Sequence, residues 1–178
     1  MFETSINEAK KLLSKTDDRA HDINHARRVS ENAVSIGKRL DHKNIELLEL
    51  CGWWHDVGRT IRDAGHEKIS AEMLYKDLIK RQKDIKLSKS AYDAIVFHRW
   101  DMNPQTLEGK IIRDADKLDF ISIERWQACI EHGQFKHLRD MKTLLDQLPD
   151  LLKLDVSVEI YLKKIIMFKK SRLIDLVK

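Results

Sequence analysis

Residues 21–40, HDINHARRVSENAVSIGKRL, decide the fold. Ile23, Ala26, Val29, Ala33, Ile36 and Leu40 recur at spacings of three and four, the period of one helix face rather than the alternation of a half-buried strand. The rest of the 178-residue chain supports an all-α reading, because 6 glycines and 2 prolines are too few for the many corners of a β architecture. A composition of 42% hydrophobic and 35% charged residues suffices for one sizeable core, so a single domain over 1–178 is expected.

Downstream, LLELCGWWHDVGRT (47–60) continues a largely apolar helix over 44–56. Gly58 is expected to stop it in the left-handed conformation that helix ends favour, with His55 and Asp56 in the last turn. Gly52, inside that helix, marks close packing against a neighbour. Trp53 and Trp54 are read as wall and core. A further helix is predicted over 67–82, then one capped by Ser88 or Ser90 and carrying Tyr92, Ile95, Val96 and His98. Pro104 suits the first turn of the next helical segment, and one or two helices cover 105–133. Two amphipathic patterns flanking a turn near Val156-Ser157 fill 140–178 and are expected to pack on the remainder. The total is about seven to nine helices.

Several function classes are disfavoured by composition. Cys51 and Cys129 show no CxxC spacing and read as reduced core thiols. The charged N-terminal stretch MFETSINEAKKLL lacks a signal-peptide core, and no run approaches the roughly 18 apolar residues of a membrane span. A cytoplasmic location is therefore expected. The net charge of +4 suits a protein that meets phosphates, but its cations are spread along the chain, so nucleic acid is not indicated.

Chemistry concentrates in the histidines. His21, His25, His55, His66 and His98 fall at predicted helix ends or inner faces, as do Asp56 and Asp116. Imidazole nitrogen with carboxylate oxygen suits divalent first-row metals, leaving positions for water and substrate. His55 and Asp56 diverge by about 100° around a helix, so both serve one ion only at a helix edge. The C-terminal end of a helix, with its partial negative charge, provides such an edge. His42, His132 and His137 show no partner pattern and are left outside the site.

The ordered segments HDINHARRV, HDVGR, GHEKISAE, AIVFHRW and IIRDADKLDF resemble the HD superfamily of metal-dependent phosphohydrolases over about residues 21–126. The HDxxHxxRV start, completed by Arg28-Val29, is similar to a small bacterial branch. The resemblance implies a compact helical bundle of the HD-domain type and a divalent ion (Mn, Mg, Fe, Co, Ni or Zn) held by His25, His55, Asp56 and Asp116, with Asp119 in reserve. It also implies hydrolysis of a phosphate ester or phosphoanhydride, of a nucleotide in the first instance, by attack of a metal-bound water. Around those ligands, Arg28, Arg59, Arg62 and Lys117 are candidates for phosphate contact. His66 and His98 are expected to face substrate, a second ion being the alternative. Glu67 is a candidate base, while His21 and Asp22 are expected to support the ligands, Asp22 by accepting an imidazole N–H. Cyclic-nucleotide phosphodiester hydrolysis and a non-catalytic metal- or nucleic-acid-binding module remain open; no GYP motif succeeds the site.

Overall fold

The computed structural model describes residues 2–177 and contains no strand among them. Its ten helices, in chain order, are α1 (Glu3–Leu13), α2 (Ile23–Arg39), α3 (Ile45–Trp54), α4 (His66–Lys80), α5 (Ile85–Val96), α6 (Leu107–Leu118), α7 (Ile123–Glu131), α8 (Phe135–Leu144), α9 (Leu148–Leu151) and α10 (Asp155–Lys170). Short 3-10 turns cover Val57–Thr60, Asp119–Ile121, Leu145–Gln147 and Leu173–Leu176. Apart from the single-turn α9, nine helices are described, within the seven to nine expected from pattern.

The helix starts arise from side-chain acceptors for backbone N–H groups that have no helical partner. Asp22 Oδ1 accepts from Asn24 N and His25 N at 2.9 and 3.0 Å, opening α2. Asn44 caps α3 and Thr106 caps α6 in the same way. α5 is opened by Asp84, whose Oδ1 accepts from Leu87 N. Ser88 and Ser90 lie inside that helix, bonding carbonyls four residues back, so neither is its cap. Pro104 precedes the Thr106 cap instead of occupying a first turn. The C-terminal break falls at 152–154, and Val156 and Ser157 belong to the first turn of α10.

Helix α2 lies against α3 and α6, and α4 pairs with α5 beside them. Of the face of α2 read from sequence, Ala26, Val29, Ala33 and Ile36 are fully buried, Ile23 is partly buried, and Leu40 lies just past the helix end and is exposed; each large buried aliphatic side chain contributes about 1.5–3 kcal/mol. Trp54 is also buried, and its indole donates to Ser5 O in α1 at 3.0 Å. Gly52 lets α3 touch α2: a Cβ there would lie 2.5 Å from Ser30 Cα and 2.8 Å from Ser30 N.

Gly58 has a different task from the one expected. α3 ends at Trp54, and Gly58 lies buried in the 3-10 turn with no left-handed φ. An added Cβ would collide with the His66 carbonyl, and Gly58 N donates to Ser70 Oγ at 2.7 Å. The residue thus closes the HDVGR turn onto the start of α4.

One turn of α6 ties two distant loops together. Arg113 donates to the carbonyls of Arg99, Trp100 and Leu151. Asp114 accepts from Lys153 N and Leu154 N at 2.9–3.0 Å. Asp114 therefore points away from Asp116, toward the C-terminal segment.

Candidate metal centre

Three imidazoles are oriented by one local device. His55 Nδ1 bonds Gly52 O at 2.8 Å, His66 Nδ1 bonds Asp63 O at 2.8 Å, and His98 Nδ1 bonds Ile95 O at 2.7 Å. Each acceptor is the carbonyl three residues upstream: Gly52 and Ile95 lie in the last turns of α3 and α5, where carbonyls lack i+4 helical partners, and Asp63 lies in the turn that leads into α4. A carbonyl can only accept, so Nδ1 carries the proton and the Nε2 lone pair is left facing inward in the neutral ring. The fourth ring, His25, is held by Asp119 Oδ2, 2.7 Å from its Nδ1.

The inward atoms converge. His25 Nε2 lies 3.1 Å from His55 Nε2, 3.5 Å from Asp56 Oδ2 and 3.4 Å from Asp116 Oδ1. His55 Nε2 lies 3.6 and 3.9 Å from the same two oxygens. Donors about 2.0–2.2 Å from one cation stand about 3.0 Å apart at octahedral angles and about 3.4 Å apart at tetrahedral ones. The two imidazoles therefore stand near such spacings from each other and from both carboxylates, and the close approach of α2 and α3 at Gly52 brings their two histidines together. The other oxygen of Asp56, Oδ1, faces His66 Nε2 at 3.1 Å and His98 Nε2 at 3.5 Å. Asp56 Oδ1, His66 Nε2 and Arg59 Nε are buried within ion-pair range of one another yet make no well-aligned hydrogen bond, and a coordinated cation would give the oxygen and the imidazole nitrogen a partner. These residues fit a divalent metal, and the described residues contain the triads His25-His55-Asp56, His55-His98-Asp116 and Asp56-His66-His98 within ligating range.

Electrostatics agree with a cation-seeking centre. Burial raises the Asp56 carboxyl, but the Arg59 charge, His55, and bonds from His25 and His66 hold it well below its usual range. Asp116 is likewise raised by burial and more strongly lowered by Lys117 and the two imidazoles. Burial drives His55 down to about 3, keeping it neutral. His25 behaves oppositely: burial and Arg125 press it toward neutrality, yet Asp116, Asp119 and Asp56 lift it to about 9. Without a metal, a proton on His25 fills the cation's role.

Residues 22–121 match the model of the HD domain family. The chain belongs to that family. No curated relative matched this HD-family chain. Solved structures that share its fold include a predicted HD superfamily hydrolase from an uncultured Thermotogales bacterium (TM-score 0.72, 23% identity, covering 98% of this chain and 92% of that one). Bacillus subtilis YpgQ in complex with ADP has a TM-score of 0.72 at 20% identity, covering 96% of this chain and 90% of that one. A Lactobacillus plantarum protein has a TM-score of 0.68 at 19% identity, covering 96% and 94%.

The centre opens into a cleft of about 510 Å³, lined by Asp56, His66, His98 and Asp116 and, among the cations, by Arg59, Arg99, Lys117, Arg125 and Lys136. Arg59 Nε sits 3.0 Å from Asp56 Oδ1, and Lys117 Nζ donates to Asp116 Oδ2 at 2.5 Å. Of the four expected cations, Arg59 and Lys117 therefore border the centre.

Other expected residues are placed elsewhere. Arg28 does not line the cleft; its Nε and Nη2 clamp Asp119 at 2.6 and 3.1 Å, behind His25. Asp22 is spent on capping α2, and the carboxylate on the His25 ring is Asp119, the reserve ligand. Arg62 turns back to the Ala64 carbonyl. Glu67 is buried rather than solvated, with Oε1 3.7 Å from Arg99 and Oε2 3.6 Å from His66 Nδ1 without a hydrogen bond, outside the cleft lining. His21 bonds Asp18 at 2.7 Å and lines the cleft.

Sequence reasoning passed over Asp18, Arg99, Trp100, Arg125, Lys136 and His137, all of which line the cleft. Asp18 left a signal, three residues before His21, and Arg99-Trp100 follow His98 directly in AIVFHRW. Arg125, Lys136 and His137 are brought in by α7 and α8, which carry no local ligand pattern.

Proposed function

We propose that this HD-family chain, a metal-dependent hydrolase, cleaves a phosphate ester or phosphoanhydride bond of a nucleotide. One observation carries the reading: four imidazoles with Nδ1 committed elsewhere turn Nε2 toward two carboxylates, at the floor of a cleft walled by cations. His25, His55, Asp56 and Asp116 would hold the ion. When bound, it supplies Lewis acidity toward a phosphoryl oxygen and lowers the pKa of a coordinated water.

The chain's own residues supply the rest. Arg59 and Lys117 stand beside the two carboxylates, where fixed positive charge offsets charge developing on phosphoryl oxygens. His66 and His98 face the cleft from Asp56 Oδ1, within reach of substrate oxygens. A nucleotide is the proposed carrier of the phosphate, in line with the ADP bound by the YpgQ structure of this fold.

A second reading keeps this chemistry with two ions, because the two oxygens of Asp56 face different histidine pairs. Metal content of the purified protein separates one ion from two. The activity itself is tested with a panel of nucleotides and phosphoesters under Mn, Co, Ni or Mg, comparing wild type with Asp56→Ala and Asp116→Ala. An inert wild type, or aspartate variants that turn over as fast, would refute the proposal.

A further inference from the structure

We propose that Asp18, His21 and His137 form a separate site for a zinc-class divalent cation in the wall of the cleft. Their donor atoms lie within 4.8 Å of one another. Asp18 Oδ2 is 2.7 Å from His21 Nδ1, Asp18 Oδ1 is 3.5 Å from His137 Nε2, and the two rings stand 5.2 Å apart, nearly perpendicular. The 2.7 and 3.5 Å separations bracket the roughly 3.0–3.4 Å between donors that share one ion, and all three donors lie within the 4.8 Å that a side-chain rotation closes around a cation.

The donors converge from the loop before α2 and from the first turn of α8, and the two segments are locked together. Gln134 Oε1 accepts from Arg19 N at 2.9 Å, and Gln134 Nε2 donates to Asp17 O at 3.0 Å. These bonds flank Asp18 on either side, so its position relative to α8 does not depend on a free loop. Ala20 N, at 3.0 Å from Asp18 Oδ1, orients the carboxylate further. A simple hydrogen-bonded pair would account for Asp18 and His21, but not for His137 reaching the other oxygen of the same carboxylate.

This site differs in kind from the centre on Asp56. Its side chains are 31%, 14% and 37% exposed for Asp18, His21 and His137, against at most 9% for the four proposed ligands of the buried centre. All three line the cleft, as does Asp140, one turn beyond His137 on the same helix face. Two imidazoles and a carboxylate with open positions match the donor set of an open zinc site. An ion held there would turn its open positions toward an anionic group in the cleft.

The test is cobalt binding to the full chain after chelator treatment, counted by elemental analysis and followed by visible absorption. The expected result is that His137→Ala binds one ion fewer per chain than its parent, both in wild type and in Asp56→Ala, which disables the buried centre. His137→Cys, made in Asp56→Ala, is expected to restore the ion with a new thiolate-to-cobalt charge-transfer band. Background from Cys51 and Cys129 is low because both are buried. Unchanged ion count and affinity in His137→Ala, or a cysteine variant that is folded by circular dichroism yet gives no band, overturns the proposal. Loss of cobalt in Asp56→Ala alone, with His137→Ala unaffected, leaves the buried centre standing and this one refuted.

Discussion

The floor and the wall of the cleft are built by different rules. On the floor, His25, His55, His66 and His98 are buried, and each has its orientation set by a bond from Nδ1 to a carbonyl or to Asp119. On the wall, Trp100 is half-exposed, and the Arg59 and Arg99 guanidiniums engage the carboxylates of Asp63 and Asp101. A floor of this kind holds its geometry before any ligand arrives, while a wall of paired surface charges can change partners. Binding strength for the metal should therefore be sensitive to buried support, and substitutions in the periphery should be tolerated.

The largest effect is expected from Asp116→Ala, which removes a proposed ligand and the partner of Lys117. Metal-dependent turnover should fall by about 10³-fold or more, measured as kcat over a range of metal concentrations. A fall of only a few-fold would mean that the floor is not the reacting centre.

pH should act through His25. Its pKa in the metal-free fold is raised to about 9, above the ordinary 6.5, so its contribution to stability is fully present below pH 6.5 and lost as pH rises through about 9. A metal must displace that proton. Apparent metal affinity is expected to climb about tenfold per pH unit between 6.5 and 9 and then level off, while the metal-free Tm declines over the same interval. Titration calorimetry across that range checks both the slope and its end point.

Asp119→Asn probes support one layer out, since it weakens the acceptor on His25 Nδ1 and the anchor of Arg28. Metal affinity should drop about 10–100-fold, with the helical spectrum retained. Gly52→Ala would push α3 off α2 at Ser30 and should cost about 1–3 kcal/mol, read from chemical denaturation. At the small end, Arg62→Ala removes only an exposed bond to Ala64 O; stability should stay within about 0.5 kcal/mol and turnover should hardly change. A large loss there would mean that exposed residues beyond the cleft wall also support the floor.

The same contrast explains how much was legible in the sequence. Helical periodicity exposed most of the buried face of α2, and the HD-type pattern named His25, His55, Asp56 and Asp116, the proposed ligands, whose inward atoms meet only where α2, the end of α3 and α6 pack together. The exchange of roles between Asp22 and Asp119 was hidden, since capping and ring support both call for a carboxylate and only the fold shows which one reaches the ring. Gly58 was misread for a related reason: a glycine needed for close approach to His66 O looks, in one dimension, like a glycine needed for a left-handed turn. The wall residues Arg125 and His137 come from α7 and α8, whose amphipathic pattern records only what they bury.

Helix α6 sets the scale on which this family member can change. Within four consecutive residues, Arg113 and Asp114 moor the 99–100 and 151–154 segments, and Asp116 faces the metal centre. Length changes in the loops at either end are absorbed locally. A single residue gained or lost between Leu107 and Arg113 would rotate all three side chains together by about 100° relative to the start of the helix, releasing both moorings and turning Asp116 away from His25. In descendants of this chain, insertions should therefore collect outside 107–118, and α6 should diverge by substitution alone.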